Sequence, residues 1–347
     1  MTLKKLSDDE FIRMSLEASE RGSSIFKFAT EVGLNVRSVQ RRRSTLKSNG
    51  VELPALCGPE LVEFNRRKRE RKGAAPRRHF IIPDTQVKPG DPTDHMEWIG
   101  RAIRDYKPDV VIHLGDHWDF PSLSRWSEKG SAEMEGRRYE DDLRAGNEAL
   151  RKLTDAMGNW KGRKVLLRGN HEHRLDRAIS SDVKWSGAIG EHQFCDVSLG
   201  WEVVPYFMGS PQAIVIDGIS YAHYFANPNT GKAIGGTITN RLAKIGTSFV
   251  QGHQQGLLQG NVQYATGAIR HGISAGSAYL HDEEYKGMSN SHWRGVVVLN
   301  EVHEGTFCEM PLTLTYLCRK YTGMGVGRWL RENYENAEHR FSLAWAA

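Results

Sequence analysis

Five short stretches, in a fixed order along the chain, place metal-ligating residue types where an apolar run gives way to a turn. They are Pro83-Asp84-Thr85-Gln86, Gly115-Asp116-His117-Trp118-Asp119, Gly169-Asn170-His171-Glu172, Ala222-His223-Tyr224 and Gly252-His253-Gln254-Gln255. Each but the fourth is punctuated by Gly or Pro. One Asp after a strand is an ordinary turn residue. Five such junctions are different, because side chains at the carboxyl ends of parallel strands converge on one edge of a sheet. Asp, Asn, His and Gln gathered there suit one or two divalent cations and a hydrolytic reaction.

The surrounding pattern supports such a sheet. Strands are expected at His79–Ile82, Val110–Leu114 and Val165–Arg168, alternating with helices at Asp94–Tyr106 and Tyr139–Met157. That alternation implies parallel pairing with crossover helices. After Trp201 the texture turns to β, with strands expected at Ala213–Ile216, Ile219–His223, Ser248–Gln251, Gly272–Ala278 and Gly295–Leu299. Many of these are short and apolar throughout, which fits two packed sheets flanked by helices better than one. The chain of 347 residues has room for one large α/β domain, a small module and a tail. We divide it into residues 1–48, a basic linker 49–78, a main domain 79–320 and a tail 321–347 with a candidate helix around Trp329 and Trp345.

The net charge of +5 is unevenly spread. Residues 1–78 hold 18 Lys and Arg against 10 Asp and Glu, a balance of +8, so the remainder is slightly acidic. A basic appendage beside a near-neutral body points to a polyanionic partner, or to a solvated face that aids solubility. Within it, residues 7–47 read as three short helices. Ala29, Gly33 and Val39 supply a small residue at a helix crossing, a turn residue at positive φ and an aliphatic anchor. This stretch resembles the helix-turn-helix of transposase, terminase and other phage proteins. The resemblance implies a recognition helix carrying Arg37, Ser38, Gln40, Arg41, Arg42 and Arg43, residue types that suit base edges and phosphates. A three-helix module that docks on protein is the alternative. The run Asn65–Lys72 reads as a phosphate-tracking strap or an exposed helix end.

Some classes are excluded. No stretch approaches the roughly 18 apolar residues of a membrane helix, and the first ten residues lack the apolar core of a secretory signal. Cys57, Cys195, Cys308 and Cys318 have neither the density of a disulfide scaffold nor C-x-x-C spacing. A cytoplasmic protein is expected.

The five stretches resemble the calcineurin-like metallophosphoesterase superfamily, whose pattern runs D-x-H, G-D-x-x-D, G-N-H-[ED], a lone His, and G-H-x-H. The resemblance covers about residues 79–300. It implies a four-layer α/β/β/α sandwich and two divalent ions; an oxygen-rich ligand set would favour Mn²⁺ or Mg²⁺. By position, Asp116 would bridge both ions, Asp84 would serve the first, and Asn170, His223 and His253 the second. His171 would be the general acid or phosphate contact, with Asp119 orienting its ring. A hydroxide shared by two cations about 3.5–4 Å apart can attack phosphorus in line. Gln86 and Gln255 depart from the pattern, each standing where the family has His, and both belong to the first ion's set. Either that site is retuned towards hard, oxygen-seeking ions, with both Gln residues as ligands, or it is lost and one ion or none remains. Arg168 and Arg174 flank the Asn170-His171 turn as candidate phosphate contacts. His113 reads as a buried structural His. His117, His271, His281 and His303 read as peripheral.

The expected function is a metal-dependent phosphodiesterase or nuclease on DNA or nucleotides. A phosphomonoesterase or nucleotide pyrophosphatase is the alternative. A catalytically weak DNA-binding regulatory or assembly protein is the second.

Overall fold

The computed structural model describes residues 6–21, 23–54, 56, 75–124, 134–283 and 292–337. The chain forms two compact units, residues 1–74 and 75–347. Among the described residues no helix is long and apolar enough to cross a membrane.

The first unit contains α1 (Asp8–Glu20), α2 (Ile25–Glu31) and α3 (Val36–Ser48). Ser7, Ser24 and Asn35 cap them, each side chain accepting a backbone N–H of the first turn. Ser7 and Glu10 complete a capping box. Gly33 takes φ 64°, and Leu34 N–H reaches back to the Ala29 carbonyl at 3.0 Å, so the turn between α2 and α3 has the geometry its residues call for. Phe11, Ala18, Phe28, Ala29, Val39, Leu46 and Leu53 close a small core, with Phe11 and Phe28 edge to face at 5.4 Å. The apolar face of α1 runs through Phe11, Ser15 and Ala18, which leaves Leu16 on the surface.

In the second unit, β1 (Arg77–Ile82), β2 (Val110–His113), β3 (Arg163–Leu167) and β4 (Glu202–Val204) lie parallel. With β12 (Gly295–His303) and β13 (Thr306–Thr313) they form a six-stranded sheet in the order β13-β12-β1-β2-β3-β4. Phe80–Ile82, Val110–His113 and Val165–Leu167 are buried throughout, as expected of strands covered on both faces. One cover is the pair α4 (Asp94–Tyr106) and α5 (Tyr139–Ala156). After a two-stranded ladder of β5 (Tyr206–Phe207) and β6 (Ser210–Pro211), a second sheet, ordered β10-β11-β9-β8-β7, comprises β7 (Ile214–Ile216), β8 (Ile219–Ala222), β9 (Phe249–Gln251), β10 (Leu257–Gln263) and β11 (Ile269–Ala275). The helix Ile238–Ile245 packs on it through Ile238, Leu242 and Phe249. A polar bridge joins the sheets: His79 on β1 meets the Tyr221 hydroxyl on β8 at 2.6 Å and Asp217 at 2.9 Å. The fold is thus mixed α/β with two sheets flanked by helices, as the sequence implied.

The C-terminal segment is part of this body. Leu314, Leu317, Val326 and Leu330 are fully buried in its main core, and Trp329 packs edge to face on Trp98 at 5.8 Å. Trp345 and the Asn65–Lys72 charge run lie outside the described residues.

Candidate functional site

The five stretches meet at one edge. Asp84, Asp116 and Asn170 follow β1, β2 and β3 of the first sheet. His223 and His253 follow β8 and β9 of the second. Because each trio or pair of strands is parallel, their carboxyl ends coincide, and the two sheets bring the two sets face to face.

Asp116 sits at the centre. Its Oδ2 lies 3.2 Å from His223 Nε2, which in turn lies 3.0 Å from Asn170 Oδ1. Ligand atoms of Asp116, His223 and His253 all fall within 4.8 Å of one another. The other imidazole nitrogen of His223 contacts the Leu114 carbonyl at 2.9 Å, which fixes the ring so that Nε2 faces the cluster. Asp84 accepts the His253 N–H through Oδ1 at 3.0 Å, while its Oδ2 is buried with no hydrogen-bond partner. An orphaned buried carboxylate oxygen is costly unless a cation or proton meets it. The glycines let the carboxylates in. A Cβ on Gly169 would stand 2.1 Å from Asp116 Oδ1, and one on Gly252 2.5 Å from Asp84 Oδ1.

Three of the converging residues, Gln86, Asp116 and His253, have left-handed backbone, with φ of 38°, 49° and 64°. Such strain costs of order 1–3 kcal/mol per residue and persists only where the surroundings enforce it. Backbone bonds do that here: Thr85 and Gln86 N–H both donate to the Asp116 carbonyl, at 3.2 and 2.8 Å.

His171 is held between two carboxylates. Its Nδ1 is paired with Asp119, its Nε2 is 3.6 Å from Asp116 Oδ2, and its backbone N–H donates to Asp116 Oδ1 at 2.9 Å. Burial alone would lower its pKa, but Asp116 and Asp119 outweigh that and raise it. Burial would likewise raise Asp116, yet His171 and His223 hold it well below the usual carboxylate range. Burial pushes Asp84 up to about 7. His223, lowered by burial but raised more strongly by Asp116, reaches about 9. Burial and the neighbouring His223 lower His253 to about 4. These shifts describe a centre that stores protons where a cation would otherwise neutralise the carboxylates.

Gln86 and Gln255 also reach the centre, but they engage each other. Gln255 Nε2 donates to Gln86 Oε1 at 2.7 Å, and Tyr279 Oη donates to Gln255 Oε1 at 2.8 Å. Gln86 Nε2 lies 3.5 Å from His171 Nε2. The donor set Asp116, Asn170, His223 and His253 fits a divalent cation in type and spacing. The amide pair, as bonded, does not offer two oxygens to another.

The flanking arginines differ. Arg174 Nη1 donates to the Asp119 carbonyl at 2.7 Å, and its Nη2 is 3.3 Å from His171 Nε2, so it borders the site. Arg168 is 2% exposed, pairs with Asp196 and Glu191, and lies over the Phe194 and Trp118 rings. It is a buried structural ion pair rather than a free phosphate contact. His113 is buried and bonded to Thr85, as expected. His117 is not peripheral: it is fully buried between Thr85 Oγ1 and the Gly146 carbonyl, at 2.8 and 2.9 Å. His281 is buried as well, paired with Glu283 and Asp91.

Glu172 is the residue that sequence reasoning missed. Its Oε1 accepts the backbone N–H of His117 and Trp118, at 2.6 and 3.1 Å. Its Oε2 accepts those of Asp116 and Gly169, at 3.1 and 2.7 Å. It therefore pins the Asp116 turn to the Asn170 turn. The acid closing the Gly-Asn-His-Glu stretch was its only signal.

On α3 the six candidate DNA contacts divide. Arg37, Ser38 and Arg41 are exposed and Gln40 is half-buried. Arg42 donates to Asp8 and to the Leu6 carbonyl and lies over the Phe11 ring at 4.6 Å. Arg43 is buried and donates to the Pro54 carbonyl. The last two are committed to holding the three-helix unit together.

Residues 78–246 match the calcineurin-like phosphoesterase family model. The chain is 28% identical to the Gene 54 protein of Mycobacterium phage D29 over 182 residues, 51% of this chain and 68% of that protein. It is also 28% identical to the Gene 54 protein of Mycobacterium phage L5 over 186 residues, with the same coverage. Among solved structures, a dimetal phosphatase from Danio rerio aligns over 70% of this chain and 97% of its own, at 11% identity and a TM-score of 0.35. With its motifs, its sheet order and its buried Asp-His cluster, residues 78–246 form a calcineurin-like phosphoesterase domain.

Proposed function

We propose that the protein is a phosphodiesterase acting on nucleic acid, with Asp116, Asn170, His223 and His253 holding a divalent cation, Mn²⁺ or Mg²⁺. Such an ion supplies Lewis-acid polarisation of a phosphoryl oxygen and acidifies a bound water. Asp84, beside His253, adds negative charge that favours the cation. Asp116 and Asp119 raise the pKa of His171, which favours its protonated form. It is placed to hand that proton to the leaving oxygen, with Asp119 fixing the ring. Arg174, 3.3 Å from His171 Nε2, contributes a fixed positive charge next to the phosphate.

The observation that carries the choice of substrate is the N-terminal unit. Its α3 displays Arg37, Ser38, Gln40 and Arg41 outside a self-contained core. Arg and Gln suit the major-groove edges of guanine and adenine, and Arg and Ser suit phosphate. A chain that joins such a helix to a phosphoester-cleaving domain has a means of bringing that domain to DNA.

The test is hydrolysis of bis-p-nitrophenyl phosphate, p-nitrophenyl phosphate and labelled duplex DNA by the full chain, with Mn²⁺, Mg²⁺, Zn²⁺ or EDTA. Metal-dependent cleavage of the diester and of DNA is expected. Cleavage of the monoester alone would replace the proposal with a phosphomonoesterase.

A further inference from the structure

Gln86 and Gln255 are 169 residues apart in sequence, yet they share one short buried hydrogen bond. Both are almost fully buried, at 1% and 8% exposure. An amide has one acceptor end and one donor end. When two amides bond to each other, one must turn its NH₂ towards the other's oxygen. They cannot then both direct oxygens at a cation between them. In this structure Gln255 turns its NH₂ inward, and its oxygen is taken by the Tyr279 hydroxyl at 2.8 Å. Tyr279 is fully buried, and its ring stacks on His281 at 4.5 Å. The Gln255 oxygen is therefore held on the side away from Gln86. To admit an ion here, the amide–amide bond and the Tyr279 bond would both have to break. Each is a buried bond whose groups would be left unpaired unless the ion replaced them.

We propose that Gln86 and Gln255 are not ion ligands. They form an amide bridge, backed by Tyr279, that fills the position of a second ion, so that the centre carries one divalent cation per chain. This rests on the assignment of Asp116, Asn170, His223 and His253 as the ion's ligands. With a single ion there is no metal pair for a carboxylate to bridge, and Asp116 serves one ion only. The bridge also sets the environment of His171, since Gln86 Nε2 is the amide end that faces its imidazole.

The experiment is to load the metal-free full chain with Mn²⁺, remove unbound ion by gel filtration, and measure manganese per chain by elemental analysis and its electron paramagnetic resonance. One equivalent is expected, with the hyperfine sextet of an isolated Mn²⁺. It should be lost in Asp116→Ala. Two equivalents with the broadened spectrum of an exchange-coupled pair would overturn the amide bridge and leave the phosphoesterase reading intact. One equivalent that survives Asp116→Ala would instead overturn the ligand assignment on which both readings stand. The double variant Gln86→His/Gln255→His supplies imidazoles in place of the bridge, and a second, coupled Mn²⁺ is expected. If that variant shows native circular dichroism but still takes up one equivalent, the bridge is not what excludes the second ion, and the proposal fails.

Discussion

Glu172→Gln changes one oxygen to an NH₂ group and almost nothing in shape, so its effect isolates the acceptor role of the carboxylate. Glu172 accepts four buried backbone N–H groups, two on each oxygen. Gln can keep one pair. It must then point its own NH₂ at the other, donor against donor. If Gln keeps Asp116 and Gly169, it loses His117 and Trp118, and the reverse orientation loses the other pair. An unsatisfied buried donor costs about 1–3 kcal/mol, and the two share a turn that can relax together, so a loss of about 2–4 kcal/mol is expected. At about 2–4 °C per kcal/mol for a domain of this size, the midpoint should fall by about 4–16 °C. Burial and the nearby Asp116 raise the pKa of Glu172, while Arg168 and the Gly169 N–H oppose that rise. Gln would remove this electrostatic cost, which tends to reduce the loss. All nine Trp lie beyond residue 97, so Trp fluorescence follows the second unit alone. Unfolding should be measured in EDTA, to keep ion binding from masking the change. A Gln variant within about 0.5 kcal/mol of wild type would mean that the N–H groups find other partners, and that Glu172 does not pin the two turns.

Other outcomes follow from the same geometry. Asp116→Ala should abolish both ion binding and hydrolysis, whereas His171→Ala should keep the ion and lower turnover by about 10²-fold or more, read from paired metal and kinetic assays. Ion affinity should rise with pH. His223 holds its proton up to about 9 in the metal-free centre, and an ion needs the neutral ring. Each binding event therefore expels a proton below that pH, and affinity should gain about tenfold per pH unit from roughly pH 7 to 9. Calorimetric Mn²⁺ titrations that show no pH dependence would contradict this. For DNA, Arg37→Ala and Arg41→Ala should each make the log–log salt slope shallower by about 0.9. Arg42→Ala should instead destabilise the N-terminal unit, since its guanidinium ties α3 to Asp8 and Leu6.

Sequence patterning was most legible where burial is extreme. The helix Asp94–Tyr106 has seven buried residues on one face and matched its expected span. The strands Phe80–Ile82 and Val165–Leu167 announced themselves as short apolar runs. Edges were harder. Leu257–Gln263 forms the rim of the second sheet with no fully buried residue, and its Gly260 reads as a breaker. Thr306–Thr313 contains Pro311, which is tolerated because this strand is the edge of its sheet. The helix His173–Ser181 buries Leu175 alone, so its composition reads as a loop. The histidines show the same limit. His117 lies beside Asp116 in sequence, yet its partners, Thr85 and Gly146, come from the turn after β1 and from the helix Tyr139–Ala156.

The five turns themselves could be read because each is local: a few residues at a strand end reveal chemistry and position together. Their coupling could not. Glu172 reaches N–H groups 54 to 56 residues upstream, and nothing in the intervening chain signals that the two turns touch. Gln86 and Gln255 carry this furthest. In the sequence they are two separate departures from a family pattern, and each alone reads as a weakened ligand. In the fold they are donor and acceptor of one bond. A Gln at either position with an apolar partner opposite would leave a buried amide end unpaired, at a cost of about 1–3 kcal/mol. Together with Tyr279 the two amides satisfy each other. The pair is stable as a pair, so the two departures are physically one change at the centre.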